Sequence, residues 1–345
     1  MRPLVSLLAA GLALLLTGCT PPASDSGSSS SSSASGTASG DKVRIGVMPK
    51  NIGIPYFNAC EQGAKEAAAE LGDVELIYDG PTEDKSEEQS RILDTWRIKK
   101  FDAVAVACND PEQISTSLAR CRDENIVAVT WDADANPQAS RRQFFVNQAG
   151  GEDLARALVD EMAAQAGENA KVGVVSSSPT APNQSAWLKL MEAYRAKTYP
   201  NMTILEPEYA GENQIKSEEK AQSILKVHPD VKGIFGMTSV ALPGAANAVK
   251  KAGKTGQIAV VGLGTPKDMR PLVEEGVVKT VILWNPVDLG YLTVHVARAV
   301  AKGELKPGDT EVKAGRLGTR KVNGDEVLLG EPMRFDKSNI ADFNF

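Results

Sequence analysis

The stretch that decides the fold is residues 42–57, which read K-V-R-I-G-V-M-P-K-N-I-G-I-P-Y-F. Its first half is a short apolar run of the kind that forms a buried strand. Prolines and a glycine then interrupt the run, and from Phe57 to Leu71 apolar residues recur at helical spacing. Because proline suits the first turn of a helix, a helix is expected to begin near Pro55. The segment therefore predicts a strand, a loop and a helix.

The loop between this strand and helix carries a cation, an amide and two aromatic rings, namely Lys50, Asn51, Tyr56 and Phe57. In an open parallel sheet such a loop lies at the carboxyl end of the strands, where ligands bind. This mixture of side chains suits a small polar ligand that has one apolar face. An alternative for Phe57 is a place in the hydrophobic core.

Strand-length apolar runs alternate with segments of helical periodicity along the rest of the chain, as far as a helix expected at 286–302. Such alternation predicts parallel sheets with helices on both faces. About ten strands are expected, more than one sheet of this type usually carries, and the series restarts near residue 150. The predicted fold is therefore α/β, with two doubly wound, Rossmann-like lobes joined by a hinge.

The chain is expected to cross between the lobes at residues 147–148, at residues 284–285 and a third time around Leu317 in the long tail. The N-terminal lobe then comprises residues 42–147 and 285–317. The C-terminal lobe comprises residues 148–284 and 318–345.

The N-terminus predicts export and lipid attachment. After Arg2, residues 4–16 are almost wholly apolar but too few to span a membrane. The following L-T-G-C at 16–19 matches the bacterial lipoprotein cleavage box, which makes residues 1–18 a signal peptide and Cys19 the lipidated first residue. An ordinary secretory signal with a chance cysteine is the alternative. Residues 19–41 are rich in serine and are expected to form a flexible tether. The mature protein is thus expected in the periplasm or on the cell surface, anchored to the membrane.

Composition excludes several classes of function. The chain has 345 residues, enough for two domains, and a formal net charge of −6, which disfavours a nucleic-acid partner. Its two histidines lack other ligands at suitable spacing, so neither a metal site nor a cofactor is expected. The sequence has no G-x-S-x-G, Walker, dinucleotide or H-E-x-x-H motif. Motifs that would support an enzyme are therefore missing, and a hydrolase is possible but unsupported.

Three cysteines remain after Cys19, namely Cys60, Cys108 and Cys121. The odd number leaves at least one free thiol. A disulfide between Cys60 and Cys108 is one possibility, because both are expected near the carboxyl edge of one sheet. The alternative is that all three are buried and unpaired, acting as small hydrophobic residues.

Polar side chains follow the predicted strands in both halves of the chain, among them Asn109, Asp132, Asn183, Gln184 and Asn285. All would lie on the carboxyl edges of two sheets that can face each other across a cleft, and such a cleft can close around a ligand. A carboxylate at a strand end can accept two hydroxyl groups at once, as sugar recognition requires. Helix capping, turn formation or solvation is the alternative for each residue.

From Val43 to the C-terminus the sequence resembles the type I periplasmic binding proteins of sugar ABC importers. Within that family it is similar to two groups, the rhamnose-binding receptors and the Lsr-type autoinducer-2 receptors. The segments that carry the resemblance are I-G-V-M-P-K (45–50), Y-D-G-P-T (78–82), T-W-D-A-D (130–134), S-S-P-T-A-P-N-Q-S-A-W (177–187), L-P-G-A-A (242–246), G-L-G-T-P-K-D-M (262–269) and W-N-P-V-D-L-G-Y (284–291).

The resemblance implies a set of ligand-binding residues. The positions that match those of the Lsr-type group are Lys50, Asp132, Asn183, Gln184, Pro243 and Ala245. Asn183 departs from that group, which has aspartate there, and is similar to the rhamnose receptors, as are Trp284 and Asn285. In contrast, the L-P-G-A segment resembles the autoinducer group. Trp284, like Phe57, is expected either to stack on the ligand or to belong to the core.

The resemblance implies a monomeric binding protein that catalyses no reaction. It would capture one small molecule and deliver it to the permease of an ABC importer. Since Lys50 and Asp132 offset each other in charge, a neutral ligand fits best. We expect a rhamnose-like deoxysugar or a related monosaccharide, with autoinducer-2 as the alternative. Three further classes of function are a receptor that presents its ligand to a sensor protein, a sugar-responsive repressor and a secreted enzyme. A repressor would carry a DNA-binding helix pair at its N-terminus, whereas this sequence has the predicted signal peptide and tether at that position.

Overall fold

A computed structural model describes residues 42–83 and 85–345. The predicted signal peptide, Cys19 and the tether up to residue 41 lie outside the described residues. The first series of elements consists of β1 (Val43–Met48), α1 (Pro55–Leu71), β2 (Val74–Tyr78), α2 (Ser86–Ile98), β3 (Ala103–Val106), α3 (Pro111–Asp123), β4 (Val127–Trp131), α4 (Pro137–Ser140) and β5 (Phe144–Asn147).

A second series follows. It consists of α5 (Gly151–Ala166), β6 (Lys171–Ser176), α6 (Pro182–Thr198), β7 (Thr203–Ile204), β8 (Glu208–Tyr209), α7 (Gln214–Val227), β9 (Gly233–Gly236), α8 (Ala241–Lys251), β10 (Ala259–Leu263), α9 (Pro266–Glu274) and β11 (Thr280–Leu283). The last elements are α10 (Pro286–Ala301), β12 (Glu311–Lys313), β13 (Thr319–Asn323), β14 (Glu326–Leu328) and β15 (Met333–Asp336), with 3-10 turns at Gly315–Leu317 and Ile340–Asp342.

These strands form two mainly parallel sheets within the described part of the chain, so the predicted α/β class is confirmed. The first sheet has the order β12-β13-β14-β5-β4-β3-β1-β2, and the second has the order β15-β11-β10-β9-β6-β7, with β8 also paired to β6. Strand β1 lies next to the edge strand β2 and pairs in parallel with both β2 and β3, so that Ile45 lies opposite Leu76 on one side and Ala103 on the other. We call the first sheet and its helices the first lobe, and the second sheet and its helices the second lobe.

The chain passes from the first sheet to the second after β5 and returns to the first lobe after β11. It leaves the first sheet again between Leu328 and Met333, because β12, β13 and β14 extend the first sheet and β15 pairs with β11 in the second. This third crossing lies later than the position predicted around Leu317. The three intervening strands are short and two of their pairings are antiparallel. The alternation of strands and helices therefore did not predict them.

Helices α1 and α10 pack so closely that their backbones touch, and this contact positions the residues at their first turns. A Cβ atom added at Gly63 would lie 1.7 Å from the carbonyl oxygen of Val287, and one added at Gly290 would lie 1.9 Å from that of Cys60. Only glycine permits such an approach. Because α1 begins with Pro55 and α10 begins directly after Asn285, the contact fixes two segments at the carboxyl edge of the sheets relative to each other.

The three cysteines of the described region are buried and unpaired, so the possible disulfide between Cys60 and Cys108 is not formed. Cys108 lies in the apolar cluster that also contains Cys121, whereas Cys60 lies in the larger cluster on the other face of the first sheet. Burial raises the pKa of the Cys121 thiol to about 12. These thiols therefore serve as packing groups.

Candidate ligand-binding pocket

A pocket lies where the carboxyl edges of the two sheets meet. The space between its walls, including its opening to solvent, is about 370 Å³. The residues that line it are Lys50, Tyr56, Phe57, Asp132, Asn183, Gln184, Trp187, Glu212, Met237, Thr238, Ser239, Leu263, Leu283 and Trp284. Both lobes thus contribute polar and aromatic side chains to one enclosed space.

Asp132 occupies a strained backbone position at the end of β4. Its φ is +61°, and the amide of Ala133 donates a hydrogen bond to the carbonyl oxygen of Trp131 at 2.6 Å, which closes a tight three-residue turn around Asp132. A positive φ in a γ-turn is rare and costs free energy. The turn lies beside β5, since the Asp132 amide donates to Val146. Such strain is typical of residues that a binding site must hold in one orientation.

The Asp132 carboxylate is buried and hydrogen-bonded to Tyr56. The Tyr56 hydroxyl lies 2.6 Å from Asp132 Oδ2, and the indole N–H of Trp284 donates to the same hydroxyl at 2.8 Å. Because an indole nitrogen can only donate, Tyr56 accepts from Trp284 and donates its own proton to Asp132. Burial raises the pKa of Tyr56 well above its ordinary value, and Asp132 raises it further. The hydroxyl therefore stays protonated and keeps this orientation.

Burial also raises the pKa of Asp132, whereas the Lys50 cation and the Tyr56 hydrogen bond oppose this rise. Removing a carboxylate from water disfavours its charged form, and a nearby cation favours it. Asp132 is thus an acceptor whose charge depends on Lys50 and on the hydrogen-bond donors that surround it.

Asn183 joins the two walls of the pocket. Lys50 Nζ donates to Asn183 Oδ1 at 2.9 Å, and Asn183 Nδ2 donates to Asp132 Oδ1 at 3.3 Å. The backbone amide of Gln184 also donates to Asn183 Oδ1, so the orientation of the side-chain amide is fixed. Lys50 and Asp132 belong to the first lobe and Asn183 begins α6 in the second. These two hydrogen bonds therefore hold the pocket closed.

The Gln184 side chain is oriented just as firmly. Its Oε1 accepts hydrogen bonds from the Ser176 hydroxyl at 2.7 Å and from the amide and hydroxyl of Ser177 at 3.0 and 2.7 Å. With its oxygen fully occupied, the amide turns its nitrogen outward, where it donates to Glu212 Oε1 at 3.3 Å. The second lobe thus presents an N–H donor and a carboxylate side by side.

Aromatic rings form the apolar part of the wall. Tyr56 lies edge-on to Phe57 and to Trp284, and Trp187 packs against Trp284 with ring centroids 5.9 Å apart. Phe57 and Trp284 are buried within the main apolar cluster and also line the pocket. The two alternatives for these residues, core or ligand contact, therefore do not exclude each other.

Six of the eleven predicted ligand-binding residues line this pocket, namely Lys50, Phe57, Asp132, Asn183, Gln184 and Trp284. The other five do not appear on its wall among the described residues. Asn285 is the N-cap of α10, where its side-chain oxygen accepts from the amides of Val287 and Asp288. A capping role satisfies its side-chain oxygen without a ligand.

The remaining four predicted residues also lie off the pocket wall. The side-chain oxygens of Asn51 and Asn109 are buried and have no hydrogen-bond partner among the described residues. Asn109 donates its side-chain amide to the carbonyl oxygen of Lys50 at 3.1 Å and so supports the loop after β1. Asn51 is buried beside it. Ala245 is buried inside α8, and Pro243, in the first turn of that helix, borders a separate surface groove.

Eight lining residues were not among the predicted ones, although Tyr56 lies in the loop after β1 that the sequence indicates. Most stand at the carboxyl ends of strands or one helical turn from a predicted residue, so the strand-end rule could have found them. Glu212 differs, because it lies in the connection between β8 and α7 and no motif marks it. The eight residues are Tyr56, Trp187, Glu212, Met237, Thr238, Ser239, Leu263 and Leu283.

Known proteins share the sequence pattern of this chain. Residues 45–305 match the family model of the periplasmic binding protein domain. The chain is 28% identical over 243 residues to the D-ribose/D-allose-binding protein of Pseudomonas aeruginosa, which covers 68% of this chain and 75% of that protein.

Two solved structures share the fold closely. The ABC transporter solute binding protein of Clostridium phytofermentas with bound L-rhamnose is 25% identical, with a TM-score of 0.84 and coverage of 88% of this chain and 98% of that one. LsrB from Clostridium saccharobutylicum in complex with AI-2 is 24% identical, with a TM-score of 0.83 and coverage of 88% and 100%.

These matches confirm the predicted resemblance and the type I periplasmic binding protein fold. They also agree with the prediction of a binding protein rather than an enzyme, because the matched model describes a binding domain. The match covers most of the folded part, from β1 to α10, and includes the strand ends that form the pocket. The chain therefore belongs to the periplasmic binding protein family.

Proposed function

We propose that the protein is the extracytoplasmic solute-binding protein of an ABC importer and that it captures one neutral monosaccharide, a rhamnose-like deoxysugar or a close relative. The observation that carries this proposal is the hydrogen-bonded group of Asp132, Lys50 and Asn183, which closes over a cavity walled by aromatic rings. The relatives support the importer and the sugar class, since their names record sugar-binding proteins.

A sugar ring has hydroxyl groups around its edge and C–H groups on its faces, and the pocket has counterparts for both. Asp132 and Lys50 offer a charged acceptor and a charged donor, which make stronger hydrogen bonds than neutral groups. Trp187, Trp284 and Phe57 offer apolar surfaces on which a ring face can pack. The Asn183–Asp132 hydrogen bond is long at 3.3 Å, so a ligand hydroxyl can replace it at little cost.

A deoxysugar is favoured because one part of the wall is apolar. Met237, Leu263 and Leu283 line the pocket and carry no polar side-chain group. A methyl group that contacts them gains from leaving water, at about 0.8 kcal/mol per buried carbon. A hydroxymethyl group in the same place would lose the hydrogen bond of its hydroxyl to water, at a cost of about 1–3 kcal/mol.

Hinge closure links binding to transport in this proposal. Each lobe alone holds only part of the polar groups, so the ligand is bound fully only when the lobes close. A closed, liganded form then differs in shape from an open one, and the permease can distinguish them. A Kd near 1 μM or tighter, about −8 kcal/mol, would suit a receptor that captures scarce solutes.

The proposed location rests on the N-terminal sequence. We propose that Cys19 carries a lipid that anchors the protein at the outer face of the cell membrane or in the periplasm. Within the part of the chain that the structure describes, no helix is long and apolar enough to cross a bilayer. Metabolic labelling with palmitate tests the anchor, because incorporation that persists in Cys19→Ser would exclude lipidation at this residue.

Thermal-shift screening of the full chain in detergent tests the proposed ligand class. The panel contains L-rhamnose, L-fucose, D-ribose, D-allose, D-glucose and autoinducer-2 with and without borate. Ligand binding raises the melting temperature by mass action, and we expect the largest rise with a 6-deoxyhexose, confirmed by calorimetry at one site per chain. A rise with autoinducer-2 alone would favour the signal-receptor alternative, and no rise with any sugar would contradict the proposal.

A further inference from the structure

We infer that Gln89 is a positioning residue of the binding site. Its side chain does not line the pocket, but it joins the loop after β1 to the loop after β3 and thereby fixes the place of the Lys50 cation. The inference rests on the proposed function, because it concerns a group to which a sugar hydroxyl would bind. Gln89 lies near the start of α2, and neither a strand end nor a sequence motif marks it.

The side-chain amide of Gln89 is fully buried and is hydrogen-bonded through both its nitrogen and its oxygen. Its Nε2 donates to the carbonyl oxygen of Pro49 at 3.2 Å and to that of Ala107 at 2.7 Å. Its Oε1 accepts from the backbone amide of Asn109 at 3.0 Å. Pro49 follows β1, whereas Ala107 and Asn109 follow β3. One side chain thus connects the backbones of two loops at the same edge of the first sheet.

Gln89 acts on the backbone of Lys50 by two routes. The first runs through Pro49, the residue directly before Lys50. The second runs through Asn109, whose side-chain amide donates to the carbonyl oxygen of Lys50 at 3.1 Å. Without the Gln89 amide, three buried backbone groups would lose a partner, and such groups must then find another partner or move. A change at residue 89 is therefore transmitted to the loop that carries Lys50.

A fixed backbone matters because the Lys50 ammonium group has two tasks inside the pocket. Its Nζ donates to Asn183 Oδ1 at 2.9 Å across the lobes, and its charge opposes the rise in the pKa of Asp132 that burial causes. A lysine side chain is flexible, so its charged end keeps one position only when the backbone beneath it does. Movement of the loop would disturb both interactions.

Calorimetry on Gln89→Met tests the inference, using the full chain in detergent and the sugar that gives the largest thermal shift. Methionine keeps the length of the side chain but cannot replace the hydrogen bonds of the amide. We expect the affinity to fall by about 10-fold or more, as for the loss of one hydrogen bond to a charged group. Unchanged affinity would overturn the inference.

Leu118→Ala is the matched control for loss of stability. Leu118 is fully buried in the apolar cluster on the same face of the first sheet as α2, and its truncation removes packing contacts without removing a hydrogen bond. We expect the melting temperature of this variant to fall while its affinity stays that of the wild type. A loss of affinity in both variants in proportion to their loss of stability would overturn the inference, because Gln89 would then serve only the fold.

A double-mutant cycle shows whether Gln89 acts through Lys50. Lys50→Met is expected to weaken binding by itself. Once residue 50 is methionine, Gln89→Met should weaken binding further by less than about 3-fold, since the cation that Gln89 positions is already gone. Additive losses would overturn the inference and leave the proposed function standing.

A readout that needs no ligand separates the two proposals. The pKa of the Asp132 carboxyl group, followed by carbon-13 NMR, reports on the position of the Lys50 cation. We expect this pKa to be higher in Gln89→Met than in the wild type and unchanged in Leu118→Ala. Equal values in the wild type and Gln89→Met would overturn the inference.

The other groups near Asp132 do not obscure this comparison. Two carboxylates, Glu212 on the pocket wall and Asp134 after β4, lie in segments with which Gln89 forms no hydrogen bond among the described residues. Four groups that interact with the Asp132 charge stay neutral in acidic and neutral solution, because burial raises the pKa of each well above its ordinary value: Tyr56, Cys60, Tyr78 and Cys108. If the folded wild type binds no monosaccharide, the proposed function falls, and the pKa comparison still decides whether Gln89 positions Lys50.

Discussion

Asn183 Nδ2 lies 3.3 Å from Asp132 Oδ1, although the two residues are 51 positions apart and belong to opposite lobes. The same amide accepts a hydrogen bond from Lys50 through its oxygen. One neutral side chain thus separates an anion from a cation at the place where the lobes meet. The amide chemistry of residue 183, with a donor and an acceptor on one group, is what makes this arrangement possible.

We predict that Asn183→Asp weakens ligand binding by about 10-fold or more at neutral pH. The substitution places two carboxylates side by side, and like charges at this distance cannot both ionise without a large cost. The affinity of the variant should therefore recover as the pH is lowered and the pair takes up a proton. Calorimetry at several pH values measures this, with Asn201→Asp at an exposed position as the control. Equal affinity of variant and wild type at neutral pH would contradict the prediction.

Asp132→Asn is expected to reduce affinity by about 100-fold while leaving the protein folded. Charge-assisted hydrogen bonds are each stronger than neutral ones by roughly 1 kcal/mol or more, and Asp132 is positioned to accept from several donors. Asparagine tolerates the positive φ of this position about as well as aspartate does, so the melting temperature should change little. Unaltered affinity in calorimetry would remove Asp132 from the site, whereas a large loss of stability would make its role structural.

Binding by the wild type should weaken in mildly acidic solution. The pKa of Asp132 is raised by burial from its ordinary 3.8, so in the ligand-free protein this group takes up a proton at a higher pH than in the unfolded chain. As the pH falls from the folded toward the unfolded pKa of Asp132, its protonation stabilises the folded state. The same protonation removes the charged acceptor that the ligand uses, so binding weakens. Affinity that stays constant down to pH 3.8, the ordinary pKa of the group, would show that the charge of Asp132 does not matter for binding.

Tyr56→Phe should destabilise the protein by about 1–3 kcal/mol and also weaken binding. The lost hydroxyl leaves the buried indole N–H of Trp284 without its acceptor and takes one donor away from Asp132. Because Trp284 lines the pocket, its fluorescence should change as well. The free energy of unfolding in urea provides the measurement, and Tyr209→Phe on the surface is the matched control. Equal stability of Tyr56→Phe and Tyr209→Phe would refute the hydrogen-bond arrangement.

Gly63→Ala is predicted to cost about 3 kcal/mol of unfolding free energy, at the upper end of the usual range for overpacking. The added methyl group would lie 1.7 Å from the carbonyl oxygen of Val287, so α1 and α10 would have to separate. Gly330→Ala is the control, since a methyl group there would meet no atom within 4 Å. Denaturant unfolding that gives both variants the stability of the wild type would mean that the two helices are not in backbone contact.

The sequence predicts the architecture because local patterns determine it. Apolar runs and helical periodicity indicate the alternation of strands and helices, and that alternation alone implies parallel sheets. The tail is different: β12, β13 and β14 are at most five residues long and each contains only one buried residue, so no apolar pattern marks them. The hydrogen bond that joins β14 to the end of β5 links Asn147 with Glu326, 179 positions apart, and local sequence does not reveal such a contact.

For the pocket, too, local sequence predicts some residues, whereas long-range contacts determine the position of others. Lys50 and Asp132 lie on its wall because they follow the buried strands β1 and β4, which the sequence predicts. Asn109 and Asn285 have backbone partners, the Lys50 carbonyl oxygen and the first amides of α10, and polarity alone does not reveal these contacts. Glu212 reaches the wall only through the path of the β8–α7 connection. Whether a polar residue reaches the pocket wall therefore depends on its position in the fold, and residue type alone does not predict it.

The most direct test of the account is a crystal structure of the protein grown with L-rhamnose, or with whichever sugar gives the largest thermal shift. The account predicts one sugar between the lobes, with ring hydroxyl groups hydrogen-bonded to Asp132 and Lys50 and a ring face against Trp187 or Trp284. A sugar bound elsewhere, or a pocket that stays empty at saturating sugar, would contradict it.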